Sequence, residues 1–227
     1  MIEINKIYHD DCMNILKQLP DKSIDLVLTD PPYGGGGRIK NEVGSAEDLT
    51  NTISAKRTGG TWSKKYQTGG IFDNEITHWD FAPTKEYFDE IFRVSKNQII
   101  WGGNYFGLPP TRCFLVWDKL TISEVFSMAM CEYAWTSFNG NAKRKELAPQ
   151  DSARFHPTQK PLELFKWCLN LFSKENELIL DCFSGSGTTA VACSELKRNF
   201  ICIEKDKQYY EMSVRRLEEY NKQLKLF

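Results

Sequence analysis

Leu178-Ile179-Leu180-Asp181-Cys182-Phe183-Ser184-Gly185-Ser186-Gly187-Thr188-Thr189 is the stretch that decides the fold. It opens as a short apolar run ending in an acid, the pattern of a buried strand over Glu177–Cys182. The glycines that follow allow a tight turn and let backbone approach a ligand closely. Gly187–Lys197 then reads as a helix, whose first N–H groups are free to meet that ligand. The next strand, Phe200–Glu204, ends in an acid 17 residues after Gly187. An acid in that place can bind the two hydroxyls of a ribose. This half of the chain is therefore expected to hold an adenosine-containing cofactor across its strand ends.

A dinucleotide site would share the glycine turn and the following acid. Asp181 shifts the balance, because it immediately precedes the turn and can pair with a cationic amine. S-adenosylmethionine carries an ammonium and a sulfonium in place of a pyrophosphate.

Outward from this unit, strands and helices alternate. Residues 1–12 read as a strand ending in acids, and Met13–Leu19 as a helical turn closed by Pro20. Ile24–Thr29 is a buried strand. Thr84–Ser95 places Tyr87, Phe88, Ile91, Phe92 and Val94 on a helix face. Gln98–Trp101 and Cys113–Trp117 are strands, and Phe126–Phe138 one or two more. Pro161–Phe172 is an amphipathic helix, and Lys207–Leu224 a final one. Such alternation implies a single α/β domain over 1–227, with a doubly wound, mostly parallel sheet covered by helices on both faces.

The strand Ile24–Thr29 delivers a second motif, Asp30-Pro31-Pro32-Tyr33. Its prolines fix the backbone and remove two N–H groups, so the carbonyls stay aimed in one direction. An acid, rigid carbonyls and an aromatic ring at a strand end can hold a planar, amine-bearing ring.

The chain has 227 residues, with 29 basic and 30 acidic side chains. A net charge of −1 excludes a protein coated in basic residues, though a local basic patch suffices for nucleic acid. The seven cysteines form no C-x-x-C pair and lie mostly in apolar runs. With no signal peptide, they are expected to be reduced in a cytoplasmic protein. No apolar run reaches the roughly 18 residues of a membrane helix, and no ligand cluster for a metal stands out.

Two segments break the alternation. Residues 35–80 are rich in Gly, Ser, Thr and Asn, and 34–72 carries six basic against three acidic side chains. A stretch this long without apolar period is expected to be a mobile insertion that contacts DNA or contributes to recognition. Arg38, Lys56, Arg57, Lys64 and Lys65 are its candidate phosphate contacts, with Trp62 and Tyr66 available for stacking. Residues 139–155 read as a short basic loop, in which Lys143, Arg144 and Arg154 are further candidates for DNA.

With both motifs placed, the chain resembles the DNA amino-methyltransferases of the N6-adenine and N4-cytosine type. Asp30-Pro31-Pro32-Tyr33 matches their catalytic motif, and residues 181–189 their cofactor motif. Residues 154–161 (RFHPTQKP) match the segment that precedes the cofactor strand in one branch. Trp101–Phe106 and Trp117-Asp118-Lys119 also occur in similar members. The catalytic motif comes first and the cofactor motif last, the beta-type order. Members usually carry a larger target-recognition region before the His-Pro-Thr-Gln-Lys-Pro segment, and here that gap is short.

The resemblance implies a Rossmann-like class I methyltransferase fold. It also implies direct methyl transfer from S-adenosyl-L-methionine to the N6 amine of an adenine flipped out of DNA. Asp30 and the Pro31 carbonyl would accept the amine hydrogens, Pro32 would hold the turn, and Tyr33 would stack on the base. For the cofactor it implies Asp11 at the adenine edge and Glu204 at the ribose, with Cys12 and Lys205 also among the cofactor-binding residues. Asp181, Phe183, Ser184, Gly185, Ser186, Gly187, Thr188 and Thr189 would line the methionine end. Thr158, Gln159 and Lys160 would reach its carboxylate, with Asp30 bordering both ligands. His156 reads as a capping or packing residue, and Asn104 as either a pocket or a turn residue. N4-cytosine methylation is the alternative, and a non-catalytic DNA-binding protein with a retained cofactor pocket is the alternative of another class. A cytosine-C5 enzyme is excluded, because no Pro-Cys occurs. A homodimer is an assembly that related enzymes adopt.

Overall fold

A computed structural model describes residues 2–33, 82–122, 129–149 and 159–224. Eight strands form one sheet: β1 (Lys6–His9), β2 (Ile24–Thr29), β3 (Ser95–Trp101), β4 (Phe114–Asp118), β5 (Cys131–Thr136), β6 (Lys143–Glu146), β7 (Leu178–Asp181) and β8 (Asn199–Glu204). Their spatial order is β1-β8-β7-β2-β3-β5-β4-β6. All pairings are parallel except those of β5, which runs against both β3 and β4. The reversal brings the beginning of β5 to the end of the sheet where the parallel strands finish.

Five α-helices of the described residues cover the sheet: α1 (Cys12–Leu16), α2 (Lys85–Val94), α3 (Leu162–Phe172), α4 (Thr188–Glu195) and α5 (Lys207–Leu224). Alternation along the central strands sends successive side chains to opposite faces. Leu26, Leu28, Ile99 and Trp101 enter the core under α3, α4 and α5. Val27 and Ile100 enter the core under α1 and α2. In α2, Tyr87, Ile91 and Val94 recur at helical spacing and are all buried. Arg93, in its last turn, donates to the carbonyls of Leu16 (2.9 Å) and Leu19 (2.9 Å). Leu16 O also accepts the Leu19 N–H at 3.0 Å, so Arg93 adds a second donor there and ties α2 to the end of α1. Residues Thr188–Cys193 of α4 are all buried, so this helix is enclosed between the sheet and its helical neighbours. Among the described residues no helix is long and apolar enough to cross a membrane.

The strand expected within residues 1–12 is Lys6–His9, and the helical turn expected at Met13–Leu19 is Cys12–Leu16. β3 begins at Ser95, directly after α2, earlier than the expected Gln98. Lys143–Glu146, expected within a loop, is an edge strand paired with β4 from Leu115↔Lys143 to Asp118↔Glu146. Its Lys-Arg-Lys-Glu sequence has no apolar period because an edge strand needs backbone pairing more than a buried face, and lysines suit an open edge. The insertion at 35–80 lies outside the described residues.

Candidate active site

β2 and β7 pair in parallel through Leu26↔Ile179 and Val27↔Leu180. The chain continues from β2 to β3 on one side and from β7 to β8 on the other. Such a divergence opens a crevice at the carboxyl ends of the two strands. Asp30 and Asp181 stand at those ends.

Asp181 is 2% exposed. Its Oδ1 accepts the Thr29 hydroxyl at 2.9 Å and the Phe183 N–H at 3.1 Å. Its Oδ2 accepts the Thr189 hydroxyl. Burial pushes this carboxyl up to about 6 despite the three donors. Among the described residues no lysine or arginine pairs with it. A buried acid with neutral donors only fits a cation supplied by a ligand.

The turn after Asp181 has Gly185 at φ +49° and Gly187 at φ +74°, a conformation that L side chains rarely adopt. Gly185 N–H donates to Glu204 Oε2 at 2.7 Å, and Asp206 N–H to Oε1 at 2.8 Å. Burial raises Glu204 to about 7. A Cβ on Gly187 would lie 3.0 Å from the Cβ of Ser213. Arg216 donates to Ser186 O at 3.0 Å and to the Thr188 hydroxyl at 3.1 Å. Ser213 and Arg216 of α5 thus brace the glycine turn from behind. Sequence reading missed both; their only signal is a shared helix face, which any amphipathic helix would also show.

Asp11 caps α1 by accepting the Met13 N–H at 3.0 Å, and its other oxygen pairs with Lys205 at 2.9 Å. The Lys205 hydrogen bond holds the Asp11 carboxyl below the usual range. Cys12 is buried, and burial pushes its thiol up to about 12. Asp11, Cys12 and Lys205 therefore meet beside the end of β8.

At the other motif, Pro31 is buried and Tyr33 half-buried. The Tyr33 hydroxyl donates to Asp30 Oδ1 at 2.8 Å. Its ring stacks on Tyr105 with centroids 4.6 Å apart. It also packs on Gly102, where a Cβ would come within 2.0 Å of the ring. A Cβ on Gly103 would meet Trp135 Cβ at 2.4 Å. The two glycines of Trp101–Phe106 are therefore fixed by two aromatic side chains that occupy their space. Asn104 is exposed in the turn that follows.

Lys160 places its ammonium on Asp30 Oδ2 and 3.1 Å from Glu132 Oε2. Glu132 Oε1 also pairs with Lys119 at 2.5 Å. Burial raises the Asp30 carboxyl, against the pull of Lys160. Gln159 is buried beside Lys160, and the Thr188 hydroxyl lies 3.4 Å from Lys160 O. Sequence reading grouped Lys160 with the cofactor residues; the structure brings it to the acid of the other motif. Glu132 was missed, since a lone acid in a polar-apolar strand carries no motif.

Of the remaining candidates, Lys143 is exposed on β6. Arg144 pairs with Glu146 and, at 3.6 Å, with Asp118. Arg38, Lys56, Arg57, Lys64, Lys65, Arg154 and Thr158 lie outside the described residues.

A family profile described as DNA methylase, for N6 and N4 methylation, matches residues 55–215. The type II methyltransferase M2.MboI of Moraxella bovis is 28% identical over 259 residues, covering 96% of this chain and 89% of its own. The crystal structure of M1.HpyAVI in complex with S-adenosylmethionine superposes with a TM-score of 0.55 at 23% identity, covering 93% of this chain and 99% of the other. PvuII DNA methyltransferase, cytosine-N4-specific, superposes at 0.58 with 15% identity, covering 96% and 90%. These two likenesses show the same class I fold, and the profile match places the chain in the N6/N4 DNA methylase family.

Proposed function

We propose that this protein transfers the methyl group of S-adenosyl-L-methionine to the N6 amine of adenine in DNA. The observation that carries the reading is the adjacency of Asp30 and Asp181 at neighbouring strand ends, tied through Thr29. One acid heads a rigid amine clamp, and the other lies buried without a cationic partner among the described residues.

The cofactor fits the residues present. Asp181 and the turn Phe183–Thr189 would hold its methionine end, Glu204 its ribose, and Asp11 with Cys12 and Lys205 its adenine. When bound, it supplies an electrophilic methyl group on a sulfonium. Thr158, Gln159 and Lys160 were expected at its carboxylate; the ion pair of Lys160 with Asp30 supports a second role for that lysine.

An exocyclic amine is a weak nucleophile because its lone pair is delocalised into the ring. Asp30 and the Pro31 carbonyl would each accept one N–H, which favours a pyramidal nitrogen with its lone pair aimed at the methyl group. As the N–C bond forms and the methyl–sulfur bond breaks, leaving a neutral thioether, the nitrogen would become positive; the Asp30 carboxylate would stabilise that charge until one amine proton is lost to solvent. Tyr33 would stack on the flipped base. Positioning of this kind supplies much of the acceleration available to a transfer without covalent catalysis.

Cytosine N4 offers a similar amine and is the second reading, kept because Asp30 and Pro31 would accept its hydrogens equally well. Adenine is preferred on the aspartate that heads the motif. The seven cysteines, all free among described residues, support a reducing cytoplasm. A homodimer remains part of the proposal, and light scattering decides it. The function is tested by incubating duplex DNA with labelled cofactor, digesting to nucleosides and identifying the product by mass spectrometry. N6-methyladenine is expected; N4-methylcytosine alone overturns the adenine assignment, and no labelled nucleoside overturns the activity.

A further inference from the structure

Four charged side chains form an unbroken row, its two lysines buried and its two acids half-buried: Asp30, Lys160, Glu132 and Lys119. They come from four places in the chain, the end of β2, the segment before α3, the start of β5 and the residue after β4. Their side chains are 15%, 8%, 23% and 7% exposed, in that order. The signs alternate, with each lysine set against a carboxylate. Lys119 also lies over the Trp117 ring at 5.1 Å, which adds an attraction that fixes its ammonium.

Such a row is costly to bury unless each charge is paired on its available sides. A fold that needed only packing there could use apolar residues of similar volume. The row ends on Asp30, and its innermost cation divides its charge between Asp30 and Glu132.

Building on the proposed amine methylation, we infer that Glu132 is a positioning residue for Asp30, acting through Lys160. A single Lys160–Asp30 pair would be neutral and would place a cation beside a nitrogen that turns positive during transfer. With Glu132 on the far side, the Asp30–Lys160–Glu132 group carries a net negative charge. Lys119 lies on the outer oxygen of Glu132, farther from the reaction. Lys160 favours the ionised Asp30 and Glu132 opposes it, so Glu132 acts on the net charge beside the amine, and Oδ1, which accepts the Tyr33 hydroxyl, is the Asp30 oxygen that Lys160 leaves for the amine. The antiparallel run of β5 is what brings Glu132 to this end of the sheet.

Electrostatics along the row are consistent with this role. Burial would raise Glu132, but Lys160 and Lys119 outweigh it and hold the carboxyl below its usual value. Burial would lower Lys160, but Asp30, Tyr33 and Glu132 outweigh it and keep the ammonium. The charged and titratable groups around Asp30 are thus Lys160, Glu132 and Tyr33, with Asp181 acting from β7.

The test compares single-turnover methyl transfer across pH for the wild type, Glu132→Gln and Lys160→Met, with cofactor affinity measured alongside. Glu132→Gln is expected to lower the plateau rate at least about tenfold and to move the acid limb to lower pH, because a negative charge near Asp30 is gone. Lys160→Met is expected to move the acid limb to higher pH, because Asp30 loses its cation. Cofactor affinity should stay within about twofold for Glu132→Gln, a difference too small to account for a tenfold rate loss. A Glu132→Gln plateau within about twofold of wild type, or a lowered plateau with an unmoved limb, overturns the inference. If that variant does not fold, Lys119→Met carries the test: loss of the outer cation moves the limb upward, and an unmoved limb overturns the inference. A wild type that methylates no amine sinks the proposed function instead, so the two failures are distinct.

Discussion

The hydroxyl of Thr29 donates to Asp181 across 2.9 Å, although 152 positions separate them in sequence. Thr29 is fully buried and immediately precedes Asp30. The bond therefore couples the Asp30 turn, the proposed amine clamp, to the acid that opens the glycine turn. Replacing Thr29 by Val keeps the shape and removes the donor. A buried carboxylate that loses one of its donors costs about 1–3 kcal/mol. Thr29→Val is expected to lower Tm by several degrees and to weaken cofactor binding, measured by calorimetry. An unchanged Tm and affinity would show that the coupling is idle.

Tyr33 holds the oxygen that the amine would need. Its hydroxyl sits on Asp30 Oδ1 while its ring stacks on Tyr105. A base entering the clamp must displace that hydroxyl and keep the ring. Tyr33→Phe is therefore expected to methylate DNA within about threefold of wild type, whereas Tyr33→Ala loses tenfold or more, since base–aromatic stacking contributes about 1–3 kcal/mol. Kinetics on one duplex decide it, and equal losses in both variants would assign the hydroxyl a role in the reaction itself.

Cofactor affinity should depend on pH. Burial raises Asp181 to about 6 and Glu204 to about 7. For an acid raised by folding, the stabilising contribution is full below its unfolded value and is lost as pH rises through the folded one. In the ligand-free protein, ionising these groups thus opposes stability between about pH 4 and pH 7. A cation beside Asp181 and hydroxyls donating to Glu204 favour the ionised forms. Affinity for S-adenosylmethionine is expected to be about tenfold tighter at about pH 8 than at about pH 5.5. Calorimetric titration at both values checks this, and tighter binding in acid would contradict it.

The two motif-bearing turns were legible in the sequence because each follows an apolar run and contains residues with restricted or permissive backbones. Pro31 and Pro32 announce one turn, and Gly185 and Gly187 the other. The mostly parallel sheet followed from the alternation of strand and helix, whereas the spatial order of its strands did not. What escaped is what depends on tertiary encounter. Lys143–Glu146 pairs through backbone at an edge, so its side chains carry no strand signature. Glu132 reaches Lys160 because β5 runs backward, and Arg216 reaches Ser186 because α5 folds behind the glycine turn. Lys160 lay within a recognisable motif, yet its partner, 130 positions away, had to be seen in three dimensions.

The central claim is that Asp30 acts on the amine and not on the cofactor. Asp30→Ala tests it most directly, with cofactor affinity and methyl transfer measured on the same preparation. S-adenosylmethionine affinity is expected within about threefold of wild type, with a loss of transfer of at least about a hundredfold, the scale for removing a group that stabilises charge in the transition state. A fall in affinity as large as the fall in transfer would contradict it.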